Sequence, residues 1–153
     1  TVPMGAVGVK YEIYETLLKN NKNKIELFHG YTYSGHPLAC AAGIATLEVY
    51  EEEKLFENAK KLEKYFGDKA HSLSKLNMVK DVRNIGLVAG IELDSRTKDN
   101  STLGRDVFEE CFNNGVMVRY TGNTIALSPP LIINRDQIDT IFDVLGASIK
   151  RSF

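Results

Sequence analysis

The residues best able to do chemistry cluster in one stretch, Phe28-His29-Gly30-Tyr31-Thr32-Tyr33-Ser34-Gly35-His36-Pro37. Hydroxyls, aromatic rings, two imidazoles and loop-forming glycines run directly into Leu38-Ala39-Cys40-Ala41-Ala42-Gly43, which is too apolar and too small-sided for an exposed helix. Pro37 suits a first helical position, where its missing N–H costs nothing. The N–H groups of a first helical turn have no partner inside the helix, so such a loop can hold an anion. Thr32, Tyr33 and Ser34 would add hydroxyl donors. An ordinary structured turn into a core helix has the same composition, and the residues alone leave both readings open.

Outside that stretch the sharpest residue is Arg119, which follows Val116-Met117-Val118 and precedes the glycine-bearing turn Thr121-Gly122-Asn123. A guanidinium at a strand end beside a turn can aim its fork at a carboxylate. A plain surface arginine on an edge strand fits equally. Ser128-Pro129-Pro130 cannot continue a ladder, because proline offers no N–H, so an irregular segment must pass close to Arg119.

Other chemistries lack their residues. His29, His36 and His71 are not spaced as zinc ligands, and Cys40 and Cys111 form no Cys-x-x-Cys pair, so no metal site is expected. The triple glutamate Glu51-Glu52-Glu53 is a solvated face. No glycine-rich dinucleotide or P-loop fingerprint and no Gly-x-Ser-x-Gly elbow occurs. With 19 Lys plus Arg against 20 Asp plus Glu, the net charge of −1 exerts no pull toward nucleic acid or anionic membrane. No run approaches the roughly 18 apolar residues of a membrane span. The two cysteines read as buried small hydrophobes, and a cytoplasmic location is expected.

These residues must be positioned by the elements of 153 residues, 43% hydrophobic and 25% charged, enough for one domain's core. Met4 to Val9 suits a buried strand, and Tyr11 to Asn20 a helix carrying Ile13 with Leu17 and Tyr14 with Leu18. A polar loop, Asn20 to Lys24, follows. From Pro37, Leu38, Ala41, Ala42, Ala45 and Val49 share one face of a helix expected to be largely buried. Leu55, Ala59, Leu62, Phe66, Ala70 and Leu73 then repeat at helical spacing over about five turns.

Beyond that the period changes. Val79 to Val82 and Leu87 to Leu93 read as strands separated at Asn84-Ile85-Gly86. A turn-rich loop, Ser95 to Ser101, leads to a short helix at Asp106 to Phe112 with Val107, Phe108, Cys111 and Phe112 inward. Val116 to Tyr120 and Thr124 to Leu127 form an expected antiparallel pair. Asn134 with Gln137 resembles a capping box ahead of Ile138, Ile141, Phe142, Leu145 and Ile149. This order predicts the α+β class, a small antiparallel sheet with helices on one face, preceded by a truncated portion of an α/β domain. The division expected is 1–50 and 51–153.

Together these residues resemble the C-terminal part of the class III, fold type I pyridoxal-phosphate aminotransferases, the omega-amino-acid transaminase group. Val2-Pro3-Met4-Gly5-Ala6-Val7 is similar to the segment just past the family's Schiff-base lysine. His29 through Pro37 resembles the loop whose threonine reaches the cofactor phosphate. Arg83 with Gly86-Leu87-Val88-Ala89-Gly90-Ile91-Glu92-Leu93 resembles the first strands of the small domain, and Arg119 through Asn123 with Ser128-Pro129-Pro130-Leu131 the strand bearing the substrate-carboxylate arginine.

The resemblance implies that Thr32 binds the phosphate of pyridoxal phosphate held by a neighbouring subunit, with Tyr31 and Ser34 lining the same place, and that Arg119 binds the carboxylate of amino donor or keto acid. Asn123 stands where the family usually has aspartate. It also implies that residues 1–50 belong to the cofactor-binding large domain, that 51–153 form the small domain, and that the enzyme is a homodimer. The family's cofactor lysine and its pyridine-pairing aspartate lie before the position of Thr1. No catalytic residue is therefore assigned within these residues, and alone they are expected to be inactive. The competing expectation is a non-catalytic α+β module that binds or self-associates.

Overall fold

A computed structural model describes residues 2–19, 22, 32–94 and 102–153. His29, Tyr31, most of the loop expected near 20–24 and the loop expected at 95–101 lie outside the described residues. The chain divides into two compact units, Thr1–Glu53 and Lys54–Phe153.

In the first unit, α1 spans Tyr11–Lys19 and α2 spans Pro37–Glu52. Both expected helices form, α2 with Pro37 at its start. Two expectations fail here. Residues 4–9 form no strand and are exposed, because a strand needs neighbours for its N–H and C=O groups and no strand lies among this unit's described residues. Helix α2 buries none of its residues: Leu38 is 71%, Ile44 60% and Leu47 62% exposed. Its apolar face was correctly read, but two helices without a sheet cannot enclose it. Gly43 meets the chain itself, since a Cβ there would lie 2.8 Å from Met4 Sδ.

The second unit carries the core. Helix α3 spans Leu55–Ser72 and buries Leu55, Leu62, Phe66 and Ala70, with Leu73 of the following 3-10 turn. Strands β1, Val79–Ile85, and β2, Val88–Leu93, pair antiparallel across Gly86-Leu87, where Gly86 has φ +53°. Helix α4 is Leu103–Asn113, longer than expected at its N-terminal end. Strand β3 is only Arg119–Thr121, and β4 is Thr124–Leu127. Val116 and Val118 are buried but stand outside the ladder. Phe112, expected inward, is exposed, while Val107 and Cys111 are fully buried.

The sheet order is β1-β2-β4-β3, antiparallel throughout. Alternation along β2 buries Ala89, Ile91 and Leu93 and turns Val88, Gly90 and Glu92 the other way. Ile91 pairs with Val82 on one side and Ile125 on the other, so one face of the sheet is core. Helices α3, α4 and α5, Arg135–Ser152, join that core, with Phe66 and Phe142 edge to face at 5.1 Å. The capping box forms in full: Gln137 N donates to Asn134 Oδ1 at 2.9 Å and Asn134 N to Gln137 Oε1 at 3.0 Å.

Polar contacts between α3 and α5 converge on Asp139, which accepts from the Tyr65 hydroxyl at 2.5 Å and pairs with Lys69 at 2.6 Å. Lys69 chiefly, then Tyr65, holds the Asp139 carboxyl below its ordinary value of 3.8, and Asp139 in turn raises Lys69 above 10.5. A carboxyl depressed on folding contributes stability that is present above the unfolded value and lost as pH falls through the folded one. A raised lysine contributes stability lost only as pH rises through its folded value. Asp139→Asn is therefore expected to lower the urea midpoint most around neutral pH, with the gap to wild type closing as pH falls below the ordinary carboxylate value of 3.8 and through the lower folded one. Urea titrations across that range check it.

Candidate functional site

Two concavities hold the residues singled out by type, one in each unit. In the first unit, residues 32–35 form a turn in which His36 N donates to Tyr33 O at 3.3 Å and Gly35 takes φ +68°. That conformation favours glycine. The chain then enters α2 at Pro37 with His36 as N-cap, and no side chain caps the helix. Helical bonding begins at Cys40 N to His36 O, 2.9 Å. The N–H groups of Leu38 and Ala39 therefore point out of the helix end unclaimed by it.

Thr32, Ser34, His36 and Cys40 line a concavity of about 550 Å³ with Met4 and Gly5. Thr32 and Ser34 are both exposed. Hydroxyl donors in front of an uncapped 16-residue helix make a cradle for an anion. These residues fit a phosphate group. Tyr31 lies outside the described residues.

In the second unit the strand register brings four residues into one row on the open face of the sheet. Arg119 stands opposite Ala126, Ala126 opposite Gly90, and Gly90 opposite Arg83. The small residues leave the floor between the two guanidinium groups low. Arg83 is already engaged, by Asp81 at 3.0 Å and Glu92 at 3.6 Å. Glu92 also takes Lys80 at 2.6 Å. Arg119 is exposed and has no carboxylate partner among the described residues. It lines a concavity of about 850 Å³ with Val88, Phe108, Met117, Ala126 and Pro130. An uncommitted guanidinium beside apolar walls can take a small carboxylate bidentately.

Alternation along the strands, applied to Gly90 and Ala126, could have placed the two arginines on one face from sequence. A second residue was missed altogether. Gly104, in the first turn of α4, is buried against the turn of the β3–β4 hairpin, and no local pattern signals a contact between residues so far apart.

Of the two cysteines only Cys40 lines one of these concavities. Cys40 and Cys111 are free thiols, and burial raises Cys111 above its ordinary value. Among the described residues no cluster of His, Cys, Asp or Glu could hold a metal ion, and no helix is long and apolar enough to cross a membrane.

The fold is that of transaminases. It superposes on the crystal structure of adenosylmethionine-8-amino-7-oxononanoate aminotransferase from Methanocaldococcus jannaschii with a TM-score of 0.74, 39% identity, and coverage of 82% of this chain and 30% of that one. A thermostable omega transaminase 6-fold mutant from Pseudomonas jessenii gives 0.75 at 30% identity, over 83% and 30%. The family pattern of aminotransferase class-III matches residues 2–149. The chain belongs to the class-III aminotransferase family.

Among curated relatives, the omega-aminotransferase of Caulobacter vibrioides is 54% identical over 95% of this chain and 34% of its own length. The beta-alanine–pyruvate aminotransferase of Pseudomonas aeruginosa is 33% identical over 97% and 34%. The chain thus spans about a third of the length of the relatives it matches.

Proposed function

We propose that this chain serves as the C-terminal part of a pyridoxal-phosphate-dependent transaminase that moves an amino group from an amine or omega-amino acid to a keto acid such as pyruvate. The observation that carries the reading is Arg119, exposed on its strand edge in an apolar-walled concavity with no carboxylate partner among the described residues. The named activities of the omega-aminotransferase and beta-alanine–pyruvate relatives support it.

Pyridoxal phosphate, when bound, would supply the aldehyde that accepts the amino group and the conjugated ring that takes up the electron pair released at the substrate carbon. The chain's own residues hold and orient. The Thr32 and Ser34 hydroxyls, with the α2 N-terminus, bind the phosphate of a neighbouring subunit's cofactor in a homodimer. Tyr31 belongs to the same loop. Arg119 draws in the carboxylate of donor or keto acid and sets its orientation, with Val88 and Pro130 lining the same concavity. No residue here is assigned a proton-transfer role, so the 153 residues alone are not expected to transaminate. Two free cysteines suit a reducing, cytoplasmic setting.

The test is a chimera carrying this chain after the matching upstream two-thirds of the Caulobacter relative. The chimera should convert pyruvate to alanine, and Arg119→Ala should cut kcat/KM for pyruvate by about 100-fold. An undiminished Arg119→Ala chimera would remove the arginine from the site. Thr32→Ala should instead weaken cofactor retention by about 1.5–3 kcal/mol, the range of a hydrogen bond to a charged group, measured by equilibrium dialysis. Equal retention sinks that assignment.

A second reading, a non-catalytic module that self-associates, is favoured by the exposure of Leu38, Ile44 and Leu47 on α2. Sedimentation velocity of the 153-residue chain should then show concentration-dependent dimers. A monomer at every concentration rejects that reading.

A further inference from the structure

The hairpin that carries Arg119 is lightly held by the sheet. Strand β3 has three residues, lies at the edge, and pairs only with β4. Its placement comes from contacts outside the ladder. Leu93 N donates to Asn123 O at 2.9 Å. Phe108 of α4 packs on Tyr120, the residue after Arg119, with ring centroids 5.4 Å apart. Between these, the first turn of α4 presses on the hairpin turn at Gly104.

A Cβ on Gly104 would lie 2.1 Å from Gly122 O and 3.2 Å from Gly122 C, both backbone atoms that no rotamer change can move aside. Glycine is the poorer helix former at this position, so local preference does not account for it. Close approach does. Gly122 itself takes φ +55°, a conformation that favours glycine at the turn that meets Gly104.

We propose that Gly104 is a positioning residue for Arg119: its missing side chain lets α4 seat the β3–β4 turn where the guanidinium faces its concavity. This rests on the reading of Arg119 as the carboxylate anchor. Any side chain at 104 pushes the turn back by about 1 Å or more, because carbon and oxygen cannot approach as closely as 2.1 Å. Gly104 touches no substrate; it acts through the hairpin.

The test uses the isotopically labelled 153-residue chain as wild type, Gly104→Ala and Asn113→Ala, the last an exposed control at the far end of α4. In Gly104→Ala the Arg119 Nε–Hε signal and the amides of 120–124 should move, while those of Ile91, Phe142 and Leu145 hold and the control leaves all unchanged. Pyruvate is then titrated. The concentration that half-saturates the Arg119 signal should rise about tenfold in Gly104→Ala, as a misplacement of about 1 Å implies.

Arg119 and hairpin signals unchanged in a folded Gly104→Ala protein overturn the inference. So does a moved hairpin with an unchanged pyruvate response. Should Gly104→Ala lose the core signals as well, Phe108→Leu decides. It loosens α4 against Tyr120 without a clash, and unmoved Arg119 signals in it reject the positioning role. A wild-type chain whose Arg119 ignores pyruvate sinks the carboxylate reading instead, and the displacement of the Arg119 signal by Gly104→Ala still decides the positioning claim.

Discussion

The cross-strand pairing of Ile91 with Ile125, both fully buried, decides which face of the sheet is core. Every other placement in the second unit follows from it. Because side chains alternate along a strand, a slip of one residue would send Ile91 and Ile125 to solvent and bring Gly90, Ala126 and Arg119 inward. Phe66 and Phe142 close over the buried face from α3 and α5, and the apolar area they remove from water makes the slip costly. The open face is then set by exclusion, and the row of Arg83, Gly90, Ala126 and Arg119 lies on it.

The two arginines of that row differ in their partners. Arg83 spends its guanidinium on Asp81 and Glu92, exposed pairs that contribute little to stability but leave no fork for a ligand. Arg119 has the same side chain and the same face. Its neighbours are Ala126, Val88 and prolines, which offer it no charge. The contrast lies in their surroundings: among the described residues Arg83 is paired with carboxylates, and Arg119 stands beside apolar side chains.

The first unit obeys another balance. Its α2 is as apolar as a core helix and yet has no fully buried residue, with Ala39, Cys40, Ala42 and Gly43 only half-buried. Covering such a face removes apolar surface from water, which is favourable wherever a partner surface is supplied. The same helix starts without a side-chain cap, and Thr32 and Ser34 line the concavity in front of it.

Much of this was legible in the amino-acid sequence. Helical periodicity placed α3 and α5, the Asn134–Gln137 box placed the start of α5, and Pro37 placed the start of α2, because each rests on contacts within a few residues. Resemblance in the stretches around Thr32 and Arg119 pointed to a transaminase, and family membership agrees. Local pattern misled where burial depends on distant partners: residues 4–9 had the composition of a strand but no strand to pair with among their unit's described residues, and Phe112 had helical spacing but faced outward.

Tertiary structure alone decided the partners of each arginine and the close approach at Gly104. Which carboxylate sits beside which guanidinium is fixed by strand register, and register is a property of the whole sheet. A glycine pressed against a carbonyl 18 positions along the chain leaves no trace in its own vicinity. The sequence by itself determined the elements and the chemical types; the packed structure determined which of those groups are engaged and which are left to act, because engagement is a matter of distance in space and not along the chain.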